Sequence, residues 1–151
     1  MRPTFIKFSQ RQTILLLRSA SPNKLLSLNH LSRDNCSEVS RLIGCWLLKK
    51  YPKSSITVIK GNQVMRTKKA HDVLIVGHNH RYYILDPTIW QFFPRKKSIF
   101  VGVSESMKGC LEILPIKYGG TWSASEKMSK NICSVRNIKS LLKTIKETAT
   151  S

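Results

Sequence analysis

The sequence predicts an α+β domain in which one helix packs on a central antiparallel sheet. Three observations predict it. A single strong helical periodicity comes early, over residues 35–51, and short β-branched or apolar runs follow it, with no internal repeat. The length of 151 residues, with 41% hydrophobic and 23% charged residues, fits one globular domain with a real core.

The helix over 35–51 places Val39, Leu42, Ile43, Trp46 and Leu47 on one apolar face. Asn35 is expected to cap it, with Glu38 reaching back as in a capping box. Lys49 and Lys50 suit the negative end of its dipole, and Tyr51-Pro52 stops it. Gly44 costs such a helix about 1 kcal/mol against alanine, which suggests a close backbone approach. Residues 55–60 read as a strand ending at Gly61-Asn62. Residues 70–77 and 81–86 read as a hairpin, apolar on both faces and therefore central. Residues 98–103 and 111–116 are two further strand candidates, and Gly119-Gly120 is a turn. Val135, Ile138, Leu141, Leu142 and Ile145 mark a basic amphipathic helix at the C-terminal end. The organisation expected is a basic N-terminal arm or leader over 1–33, a catalytic domain over 34–126 and the basic amphipathic helix over 127–151.

The charge is unusual: 26 Lys+Arg against 8 Asp+Glu give +18. Residues 1–33 hold six cations and no acid, and residues 127–151 hold six against Glu147 alone. Coulomb attraction and counterion release let such a chain bind nucleic acid or anionic membrane without a specific site. No zinc-finger spacing, basic-plus-heptad region or RNP-like aromatic run sharpens that into a motif. Solubilising flanks explain the same composition, and the serine-rich, acid-free start also resembles an organelle transit peptide. No apolar run approaches the roughly 18 residues of a membrane span, and Thr13–Leu17 is shorter than a secretory core of about 7–15 residues. Cytoplasmic residence, or delivery as an effector, is the expectation. His78-Asn79-His80 is read as a turn rather than as a nuclease motif.

Of the four cysteines, Cys45 and Cys110 lie in apolar runs and read as small buried fillers, and Cys133 falls in the basic tail. The even count permits two disulfides, although no secretory signal argues for an oxidising compartment. No Cys/His spacing suits zinc, so neither a metal nor another cofactor is called for.

Cys36 differs by position, as the first residue of the helix. Unpaired N–H groups and the positive dipole end there favour a thiolate and can hold an oxyanion. If the hairpin turn is centred on His78-Asn79, then Ile75 faces Tyr82, Val73 faces Ile84 and His71 faces Asp86. Opposed side chains lie about 4.5–5.5 Å apart at Cβ, close enough for Asp86 to fix the His71 tautomer and leave its other nitrogen as a base. Asp86 precedes Pro87, which keeps it extended. Nucleophile, base and orienting carboxylate are the logic of a Cys-His-Asp triad. Each residue also has a structural reading: a helix-start cysteine, a hydrogen-bonded core histidine, an Asp-Pro turn.

The strings Asp34-Asn35-Cys36-Ser37-Glu38-Val39-Ser40, His71-Asp72-Val73-Leu74-Ile75-Val76, Tyr82-Tyr83-Ile84-Leu85-Asp86-Pro87-Thr88 and Trp90-Gln91-Phe92 resemble the papain-like fold toxins. These include bacterial protein-glutamine deamidase domains, within the papain/transglutaminase-like superfamily. The Cys, His, Asp order and the 15-residue step from His71 to Asp86 match that pattern, and the resemblance covers about residues 34–93 and, more loosely, the chain on to Trp122. It implies a papain-like fold and attack by a thiolate on an amide carbonyl, with Cys36 as nucleophile, His71 as general base and acid, and Asp86 as orienter. Water as acceptor gives a peptidase or a glutamine deamidase, and an amine gives a transglutaminase. Arylamine N-acetyltransferases share the order but are longer, with a Gly-rich approach that Arg33-Asp34-Asn35 lacks. No glutamine lies just before Cys36 to complete an oxyanion hole; Asn29, Asn35, Trp90 and Gln91 are the candidates for oxyanion or substrate contact. The partners implied are an acidic protein substrate and, for a toxin, an immunity protein. The alternative function is a basic module that binds nucleic acid or an anionic surface without catalysis.

Overall fold

The computed structural model describes residues 2–150. A five-stranded, wholly antiparallel sheet runs in the order β4-β3-β2-β1-β5. Its strands are β1 (Ser55–Asn62), β2 (His71–His78), β3 (Arg81–Leu85), β4 (Phe100–Ser104) and β5 (Thr121–Lys127). The helices are α1 (Thr4–Ala20), α2 (Leu28–Leu31), α3 (Cys36–Lys50), α4 (Met107–Tyr118) and α5 (Val135–Thr150). The order is α+β, with helices on both faces of the sheet.

Strand parity sorts the core into two layers. Ile56, Val58, Leu74, Val76 and Leu85 meet the apolar faces of α1, α3 and α5 in one cluster. Ile59, Val73, Ile75 and Ile84 point the other way and meet Cys110, Leu114 and Tyr118 of α4. Because successive side chains alternate faces, a strand buried on both sides reads as an unbroken apolar run. The six residues His71–Val76 are all buried, and β2 occupies the centre of the sheet.

The start of α3 differs from the capping box expected of it. The Asn35 side chain makes no cap; it donates to Leu31 O at 3.4 Å, and its Oδ1 is buried without a partner. Gly44 does mark a close approach: a Cβ there would stand 3.1 Å from Met128 and 3.3 Å from Leu74. The stretch 111–116, read as a strand, belongs to α4. Ser106 caps that helix by accepting from Gly109 N–H, and Cys110, Leu114 and Tyr118 recur every fourth residue along its buried stripe.

The basic ends are built into the core. Phe5, Leu16 and Leu17 of α1 are 1%, 5% and 1% exposed, so residues 4–20 pack against the domain rather than extending from it as an arm. Ile145 of α5 is buried in the same cluster. Cys45, read as a small buried filler, instead forms a disulfide with Cys133, joining α3 to the residues just before α5. Cys36 and Cys110 are free.

The hairpin between β2 and β3 is present with a different register. Ile75 pairs with Ile84, Gly77 with Tyr82 and His78 with Arg81, so the two turn residues are Asn79 and His80 instead of His78 and Asn79. Both have positive φ, 49° and 62°. That is the signature of a type I′ turn, whose twist matches the flanking strands and whose first position suits asparagine. The change moves each partner by two residues. Parity survives, so His71 and Asp86 remain on one face but stand diagonally rather than opposite.

Candidate active site

His71 opens β2 at the end of the sheet nearest the start of α3. Two contacts fix that helix there: Ser40 Oγ donates to Asp72 O at 3.2 Å, and Arg41 pairs with Asp72 Oδ2 at 2.9 Å. Arg41 also reaches Glu126 of β5 at 3.0 Å and Ser37 Oγ at 2.7 Å, tying the first turn of α3 to two strands. Ser40 lies one helical turn after Cys36, so these contacts set where the sulfur stands.

Asp86 lies just past the end of β3, and its backbone N–H donates to Ile99 O at 2.8 Å. Its carboxylate is fully buried and uses both oxygens. Oδ2 faces His71 Nε2 at 2.8 Å and accepts from the Tyr118 hydroxyl at 2.6 Å; Oδ1 accepts from Thr88 N–H at 3.1 Å. Three donors on one carboxylate are what a buried charge needs if it is not to be costly. Tyr118, the last residue of α4, is therefore part of the arrangement. Burial, the Asp86 charge and the hydrogen bond to it together push the Tyr118 hydroxyl pKa well up, so it stays a donor.

The His71 ring is fully buried in an aromatic box. Phe92 meets it edge-on with centroids 4.8 Å apart, Tyr118 lies at 5.6 Å and Trp122 at 6.4 Å. Trp122 can cross the sheet there because its neighbour on β1 is Gly61, where a Cβ would meet the indole at 2.6 Å.

With Nε2 on Asp86, the nitrogen left to His71 is Nδ1. It is buried and has no aligned hydrogen-bond partner, yet the Cys36 side chain interacts with this ring closely enough to raise its pKa. Cys36 is thus an electrostatic neighbour of the His71 ring, without a hydrogen bond to Nδ1. Burial alone lowers the His71 pKa. The charge and hydrogen bond of Asp86, with those of Cys36, outweigh it and bring the value up to about 10.

Cys36 is half-buried and lines an open pocket of about 350 Å³ with Asp34, Ser37, Glu38, Lys69, Ala70 and Gln91. The amides of Cys36, Ser37 and Glu38 head α3 without an intrahelical acceptor, whereas Val39 N–H already bonds Asn35 O at 3.0 Å.

Among the residues singled out for oxyanion or substrate contact, only Gln91 reaches this pocket. Its Oε1 is buried without a partner. Trp90 is 2% exposed and donates from Nε1 to Lys96 O at 2.8 Å, so it braces the loop after Asp86. Asn29 donates to Trp90 O at 2.6 Å and joins α2 to that loop. Asn35 faces a separate pocket with His30, Arg33 and Thr148. Among the described residues no cluster of three or more His, Cys, Asp or Glu side chains is arranged to hold a metal ion.

The sheet and the helices packed on it define an α+β protein with a buried histidine–carboxylate pair at one end of the sheet. Comparison with protein-family models, curated proteins and solved structures finds no match to this chain.

Proposed function

We propose that this protein is a papain-like cysteine hydrolase that attacks an amide carbonyl in a protein substrate through Cys36, His71 and Asp86. One observation carries the reading: a buried histidine bonds a carboxylate at 2.8 Å through Nε2, and a half-buried cysteine at a helix N-terminus acts on the same ring. A core histidine with a structural role has no need of that sulfur.

In this mechanism the Cys36 thiolate adds to the carbonyl carbon. The oxyanion that forms is held by the open amides at the head of α3, with the Gln91 side chain as second donor. His71 gives the Nδ1 proton to the leaving nitrogen; the C–N bond breaks and a thioester remains. A water then loses its proton to Nδ1 and attacks the thioester, and the thiolate departs. Asp86 keeps the tautomer fixed throughout and stabilises the imidazolium. Ammonia leaves if the amide is a glutamine side chain, an amine if it is a peptide bond. An amine in place of the water would make the same scaffold a transglutaminase-like acyltransferase. The net charge of +18 favours acidic proteins as substrates and fits an effector or toxin that meets its target by electrostatic steering.

The test is a burst assay with p-nitrophenyl acetate. The wild-type protein is expected to release about one equivalent of nitrophenolate at once and to carry acetyl on Cys36 by peptide mass mapping. Cys36→Ser should give no burst. Acetylation spread over lysines, with the two proteins alike, rejects the enzyme and leaves the basic binding module as the reading.

A further inference from the structure

A further cavity lies away from Cys36, at the other end of α3. It holds about 580 Å³ and sits between the last turn of α3, the β5–α5 connection and the first turns of α5. Its apolar surface comes from Leu48, Pro52, Met128, Val135 and Ile138, with the Cys45–Cys133 disulfide between the helices. Leu48 is twelve residues from Cys36, or about 18 Å along the helix axis. This cavity is therefore no part of the catalytic pocket.

Its polar rim has one sign. Lys49 and Lys130 line it and are exposed, and no acidic side chain does. The surroundings agree, because the chain has no Asp or Glu from residue 39 to 71 or from 127 to 146. Ser129 and Ser134 also line the cavity. Each hydroxyl accepts a backbone N–H, from Ile132 at 3.3 Å and from Asn137 at 3.2 Å, which leaves its own proton to donate. Val135 is 72% exposed although it is apolar.

The geometry points to a binding site for a monomeric long-chain carboxylate, the alkyl tail on Leu48, Met128 and Ile138 and the head between Lys49 and Lys130. A volume within the roughly 300–1,000 Å³ of small-molecule sites suits one chain. A neutral lipid leaves the two lysines unanswered, and a second copy of this chain brings like charge to like charge. A bilayer surface offers headgroups rather than a free tail, so the concave floor favours the monomer over a membrane.

The experiment is calorimetric titration of the full chain with dodecanoate below its micelle concentration. One saturable equivalent is expected, with dodecyltrimethylammonium, the same chain carrying a positive head, failing to bind. In Lys49→Glu/Lys130→Glu, both exposed positions, Kd should rise at least tenfold with an unchanged circular dichroism spectrum. Leu48→Asn should weaken binding to a similar degree without touching the charge. Multiple weak equivalents, equal binding of the cationic chain or indifference to both variants would overturn the site. So would stronger, pocket-independent association with phosphatidylglycerol vesicles, which assigns the affinity to overall surface charge.

Discussion

Tyr118 donates a 2.6 Å hydrogen bond to Oδ2 of Asp86, the same oxygen that stands 2.8 Å from His71 Nε2. A residue 32 positions along the chain from Asp86 thus orients the carboxylate that orients the imidazole. Tyr118→Phe keeps the ring against His71 and deletes only this bond. A hydrogen bond to a charged group is worth about 1.5–3 kcal/mol, and a urea midpoint should fall accordingly. The iodoacetamide reactivity of Cys36 should also fall, by less than in His71→Ala. Loss of stability with no change in Cys36 reactivity would make Tyr118 a structural residue only.

His71 gives stability a predictable pH dependence. Its pKa stands at about 10 in the folded chain against an ordinary 6.5, so the folded state holds the proton more tightly. That contribution is fully present below about pH 6.5 and is lost as pH rises through about 10. Lysines titrate in the same upper range, so the quantity to measure is the difference between wild type and His71→Gln. Urea unfolding should show that difference shrinking steadily from pH 6 to pH 10. A constant difference would mean that folding leaves the His71 pKa unchanged.

The Cys45–Cys133 disulfide closes a loop of 88 residues in sequence separation between α3 and α5. Removing a cross-link of that span should cost roughly 2–5 kcal/mol, mainly by freeing the unfolded chain. Cys133→Ser should therefore lower the thermal midpoint markedly while Cys36 keeps its reactivity, since that sulfur lies outside the bond. An unchanged midpoint would show that the two helices are held by packing alone.

Gly61 is where the aromatic box around His71 is most easily disturbed. A methyl group there would press on the Trp122 ring at 2.6 Å. Gly61→Ala should push the indole off His71 and cost about 1–3 kcal/mol as an overpacked site. A shift in tryptophan emission should accompany a slower Cys36 alkylation. Wild-type emission with wild-type reactivity would show that Trp122 plays no part in holding the imidazole.

Local chemistry made part of this architecture legible. The helix carrying Cys36, β1 and the central hairpin follow from periodicity, because each buries a long apolar face. The turn was displaced by one residue because His78-Asn79 and Asn79-His80 are both plausible centres, and only backbone twist chooses between them. The shift preserved parity, and so His71 and Asp86 still meet. The stretch 111–116 misled because an apolar run is read equally well by a strand and by a buried helix; Ser106 as N-cap was the signal that separates them. β5 was invisible: its exposed, polar edge (Ser123, Ala124, Ser125) has no hydrophobic pattern. Tyr118, Trp122 and the Cys45–Cys133 bond rest on contacts between residues far apart in sequence, which no local pattern encodes.

Competitive alkylation measures directly whether His71 activates Cys36. Native protein is treated with a limiting amount of iodoacetamide at pH 7, and the label on Cys36 and Cys110 is read by peptide mass spectrometry. Cys110 serves as the internal reference: it is fully buried, and burial pushes its thiol up to about 11. Cys36 is expected to react at least a hundredfold faster than Cys110, and His71→Ala, folded by circular dichroism, to reduce the Cys36 rate at least tenfold. A Cys36 rate that is the same with and without the imidazole would contradict that activation.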